Sequence, residues 1–122
     1  MWYTAHAVLV ALFKSGSQNQ FPVWENIYLI WARSDRDAFS KAEKKAKAEQ
    51  GDSSGSFKWN GRPAEWKYKG IRQLTKCELR STKNLAIEHE SIEISHNEFI
   101  LVGTKTLSGF CRGDQLKLKA LE

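Results

Sequence analysis

The chain has 122 residues, 41% of them hydrophobic and 27% charged, and its 19 Lys and Arg against 14 Asp and Glu leave a formal net charge of +5 with neutral His. This composition excludes wholesale disorder and matches one globular domain over residues 1–122, large enough to bury a core without staples. The longest uninterrupted apolar run, residues 7–13, falls far short of the ~20 residues of a membrane-spanning helix, so no membrane partner is expected.

Residues 2–13 read as a strand. Tyr3, Ala5, Ala7, Leu9, Ala11 and Phe13 make an entirely apolar face, and Trp2, Thr4, His6, Val8, Val10 and Leu12 a mixed one, so the odd positions form the core face. No Lys or Arg precedes this apolar stretch and Lys14 follows it, which is the reverse of a secretory leader. A polar loop over 15–20 leads to a second strand at 23–33, whose run from Ile27 to Ala32 is apolar or aromatic throughout. Such a run predicts a central strand covered on both faces and paired antiparallel with the first. Ser34 is the predicted N-cap of a helix, with Asp37 completing a capping box and Gly51 supplying the stop. Ala38, Phe39, Ala42 and Ala46 fall on its buried stripe, and Lys41, Lys44, Lys45 and Lys47 occupy the rest.

Beyond a Gly/Ser turn, Asn60-Gly61 between Phe57-Lys58-Trp59 and Arg62-Pro63-Ala64-Glu65-Trp66 predicts a hairpin with a primed turn. Pro63 has no N–H for a ladder and places this end at an edge or bulge. Gly70 marks a bulge, because the apolar phase changes after it. Strands are expected near 85–94 and 97–103, a short helical turn near 105–110, and a last strand over 115–120. The predicted architecture is α+β: a mainly antiparallel twisted sheet with one principal helix in β-β-α-β-hairpin order, and a strand-rich C-terminal segment.

Several of these residues carry a family resemblance. Trp2-Tyr3-x-Ala5, Glu25-x-x-Tyr28-Leu29-Ile30-x-Ala32, the Ala38/Ala42/Ala46 helix, Glu65-Trp66-Lys67-Tyr68-Lys69-Gly70-Ile71 and Phe110-x-Arg112-Gly113 resemble the domain-of-unknown-function 4288 family of bacteria. The resemblance is firmest over 2–75. It implies a small soluble bacterial domain without an established activity, and brings no catalytic residues with it.

The residues themselves offer little chemistry. His89 and His96 lie among Glu88, Glu90, Glu93 and Glu98, but their spacing matches no ligand motif, and an acidic exposed strand-and-turn face accounts for them. His6, on the mixed face of the first strand, reads as a hydrogen-bonded structural histidine. No serine stands in a nucleophile elbow, and Gly51-x-x-x-Gly55 lacks the Lys-Ser/Thr of a phosphate loop. Glu25 and Glu65 cannot be placed across a pocket from sequence. Cys77 and Cys111 build no disulfide framework and no zinc site, and read as reduced thiols in a cytoplasmic protein. No enzyme activity, metal or cofactor is expected.

Charge is more informative. Residues 58–83 contain eight basic side chains against Glu65 and Glu78, whereas 84–98 contain four glutamates and no Lys or Arg. Lys58, Trp59, Arg62, Lys67, Lys69 and Arg72 are therefore candidates for binding RNA or single-stranded DNA, the cations meeting phosphates and the ring a base. Against that, Trp66 and Tyr68 alternate with Lys67 and Lys69, which fits a core-facing aromatic row behind a solvated basic face. A second candidate surface is the even face of the first strand, with Trp2, Val8 and Val10 joined by Trp24 or Trp31. It needs cover from the C-terminal segment or from another chain. The leading expectation is a non-catalytic protein-interaction module, homodimeric or of an immunity or antitoxin kind. Nucleic-acid binding is the alternative.

Overall fold

A computed structural model describes residues 1–78 and 91–113. The fold is α+β. Five strands, β1 (Trp2–Phe13), β2 (Gln20–Trp31), β3 (Lys58–Trp59), β4 (Arg62–Cys77) and β5 (Ser91–Val102), form one sheet in the order β3-β4-β1-β2-β5, with every pairing antiparallel. Helix α1 (Asp35–Ala48) packs on one face, and the short helix α2 (Thr104–Cys111) on the other.

The first strand's alternation sets both faces. Tyr3, Ala5, Ala7 and Leu9 pack with Tyr28 and Ile30 of β2 against Ala38, Ala42 and Ala46 of α1. Methyl groups on both sides of this contact let the helix lie close to the sheet. Ser34 caps α1 as expected, its Oγ accepting the Asp37 N–H at 3.1 Å. Asp37 in turn accepts from the Arg33 N–H at 3.0 Å. Phe39 departs from expectation: it is 41% exposed, because one residue past Ala38 the helix has already turned about 100° away from the alanine stripe.

On the opposite face, Val8, Val10, Phe21, Val23 and Leu101 are covered by Leu107 and Phe110 of α2. The two strands expected near 85–94 and 97–103 are, within the described residues, one strand. Its polar middle pairs with polar partners, His96 with Asn26 and Asn97 with Glu25, so no turn is needed there. The helical turn expected near 105–110 is α2, while the strand expected over 115–120 lies outside the described residues. Asn60 and Gly61 have φ of 51° and 73°, the left-handed pair of the expected primed turn. The bulge expected at Gly70 is two shifts of register between β1 and β4, one between His6 and Ala7 and one between Val8 and Leu9.

Candidate functional site

Helix α1 begins over Tyr3, whose hydroxyl donates to Asp35 at 2.9 Å, and ends beside Asn26, whose amide donates to Glu49 at 2.6 Å. Beyond its last turn the same sheet face carries aromatic rings. Trp24 pairs with Leu9 and Trp66 with Ala11, and the two indoles meet across β1 as a stacked pair, 3.6 Å between centroids at 17°. Phe57 continues the row 5.6 Å from Trp66, and His96 meets Trp24 edge-on at 5.6 Å. Main-chain bonds between Gly51 and Trp66, at 2.7 and 3.1 Å, anchor the end of the helix connection to β4. The Asn60-Gly61 turn folds Trp59 back onto Phe13, 5.5 Å away, and the Arg62 guanidinium lies 3.6 Å over the other ring of that pair, Phe13.

These residues bound an open trough of about 570 Å³, lined by Pro22, Trp24, Phe57, Trp59, Trp66 and Ile100 with parts of Val23 and Phe99, and Glu98 is its single ionisable lining residue. None of the hydrogen bonds among the described residues uses the indole N–H of Trp24, Trp59 or Trp66, and none of these N–H groups is buried. The lining residues thus offer ring surface, indole N–H groups that are not buried, and one carboxylate. At its side His96 bridges Asn26 Oδ1 and Glu98 Oε1, the latter at 3.1 Å. The nearby Tyr28 hydroxyl is buried with no hydrogen-bond partner among the described residues, and burial raises it well above the ordinary phenol range.

A second polar group lies on the opposite face. Glu25 accepts from Arg72 Nη1 at 2.9 Å and from Asn97 Nδ2 at 3.2 Å, and faces His6 Nδ1 at 3.3 Å. Burial would raise the Glu25 carboxyl, but the hydrogen bonds from Arg72, Asn97 and His6 outweigh it and hold the group below the usual carboxylate range. Arg72 also donates from Nε to the Phe110 carbonyl at 3.0 Å and lies over the Phe110 ring. Gly113 passes so near the Arg72 carbonyl that an added Cβ would collide with its oxygen. This group is a brace joining β1, β2, β4 and β5 to the end of α2.

The candidate residues from the sequence are divided by this arrangement. Of the nucleic-acid set, Lys58, Trp59 and Arg62 gather at the β3–β4 turn, where Arg62 donates to the Ser15 and Ser17 carbonyls. Lys67 and Lys69 lie along β4, Lys67 beside Glu65 at 3.6 Å. Arg72 is turned into the brace, with 18% of its side chain exposed. The rings of Trp66 and Tyr68 pack toward α1. Of the partner set, Val8 and Val10 are fully buried under α2, so the chain itself covers that part of the even face. Trp31 rather than Trp24 shares the face with Trp2; the two rings meet edge-on at 5.2 Å, and Trp31 is 46% exposed. Trp24 belongs to the trough. Phe57, Glu98 and Ile100 were not legible as site residues, because their approach depends on the β2–β5 register and on the path of the helix connection. His89 lies outside the described residues. Among the described residues no group of three or more His, Cys, Asp or Glu could hold a metal ion, and no helix is long and apolar enough to cross a membrane.

Compared with known proteins, residues 2–87 match the family model described as a domain of unknown function (DUF4288). No curated protein and no solved structure matches the chain.

Proposed function

The chain belongs to the DUF4288 family, and since that membership brings no activity with it, we propose from the residues themselves that this domain is a non-catalytic protein-interaction module docking its partner in the aromatic trough. The observation that carries this reading is the trough: three tryptophans and two phenylalanines gathered around about 570 Å³ of open space. Tryptophan is the side chain that most often dominates a protein interface, since it buries a large rigid surface at small entropic cost. The lining contains no Lys or Arg, so the phosphate contacts that drive nucleic-acid affinity are missing from it. A reducing cytoplasmic setting suits the two free cysteines, Cys77 and Cys111.

The test is selection of a displayed peptide library on the folded domain. The expected result is a recurring sequence pattern whose binding is lost in Trp59→Ala, a variant with unchanged far-ultraviolet circular dichroism. Absence of any pattern, or a pattern indifferent to Trp59→Ala, overturns the reading. So does tryptophan quenching by an oligonucleotide that fades with added salt, which would put nucleic-acid binding in its place.

A further inference from the structure

We infer that the occupant of the trough is a proline-rich segment of another protein in the polyproline II conformation, with an arginine or lysine beside the prolines that meets Glu98. The inference rests on the interaction reading above and names the chemistry of the partner.

Three features of the trough find their counterparts in such a segment. Its surface is ring and aliphatic carbon, from Trp24, Trp59, Trp66, Phe57 and Ile100. Flat proline rings cover such surface well, and a polyproline II helix arrives with its backbone already ordered, so little entropy is lost on docking. The indole N–H groups of Trp24, Trp59 and Trp66 have no acceptor among the described residues and are not buried. A polyproline II backbone makes no internal hydrogen bonds, which leaves its carbonyls free to accept from them. The single carboxylate of the lining, Glu98, is 65% exposed at its side chain, and a basic residue flanking the prolines supplies the opposite charge. An aliphatic or aromatic side chain alone would satisfy only the first of these features.

Residues 1–122 of a second copy do not provide this segment. The sequence holds two prolines, Pro22 and Pro63, which lie in different strands.

The experiment titrates the purified domain with three synthetic peptides, followed by tryptophan emission: a proline-rich peptide ending in arginine, its counterpart with alanine for every proline, and its counterpart with alanine for the arginine. The proline-rich peptide is expected to bind saturably, and the alanine-for-proline peptide at least tenfold more weakly. Loss of the arginine is expected to weaken binding about two- to fivefold, as for a partly exposed ion pair. On Glu98→Gln the peptides with and without arginine are expected to bind alike, which assigns the charge contact to that residue. Equal affinity for the proline and alanine peptides overturns the inference, as does binding of the proline peptide that is unchanged in Trp59→Ala. A displayed-library pattern without proline also overturns it while leaving the interaction module standing, whereas a library without any pattern removes both.

Discussion

Arg72 sits where β4 has one residue more than the strand opposite: His6 pairs with Gln73 and Ala7 with Ile71. The extra residue carries its guanidinium to Glu25 and the end of α2 instead of out along the sheet. Side-chain exposures of 18% for Arg72 and 9% for Glu25 mean that removing either partner strands the other charge away from most of its water. Glu25→Ala is expected to lower the unfolding free energy by about 3 kcal/mol, the lower end for a broken buried pair because Arg72 keeps some solvent contact. Urea titration checks this, and a loss below about 1 kcal/mol would place the pair with ordinary surface bridges. The carboxyl is more acidic folded than unfolded, so its contribution is complete above the ordinary glutamate value of about 4.3 and is lost as pH falls through the lower folded value. Glu25→Gln should therefore flatten the acid limb of the stability profile.

At the scale of elements, α2 is short but closes one face of the sheet. Phe110 meets Phe99 edge-on at 4.9 Å and packs over Val8 and Val10. Phe110→Ala is expected to cost about 3–5 kcal/mol and to increase the fluorescence of an apolar dye by uncovering those valines; unchanged stability would mean that α2 does not hold this face. The sequence made the local elements readable. The apolar odd positions of β1, the Ser34 cap and the Asn60-Gly61 turn each write their structure within a few neighbouring residues. It did not reveal what meets what across the chain. Val8 and Val10 look the same whether α2 or a partner covers them, and the polar run around His96 resembles a turn until Asn26 and Glu25 are placed opposite. The trough was half legible: its tryptophans stood out, but Trp24 and Trp66 become neighbours only through two independent strand registers, with β1 between them.

For the whole molecule the formal charge is +5, and among the described residues Lys and Arg occur on the helix, along β4 and at the β3–β4 hairpin. Arg62 and Arg72 are held by internal partners, and Lys14 and Lys67 stand beside Asp52 and Glu65. The trough is assembled from β2, the β3–β4 hairpin with the turn before it, and β5, with lining residues from Pro22 to Ile100. No single element contains it, so a ligand that fits it binds the folded state and shifts the folding equilibrium. At a free concentration one hundred times its dissociation constant, such a ligand adds about 2.7 kcal/mol to the stability of the whole domain. The melting temperature would rise with ligand concentration, and the transition would measure occupancy of the trough without any label.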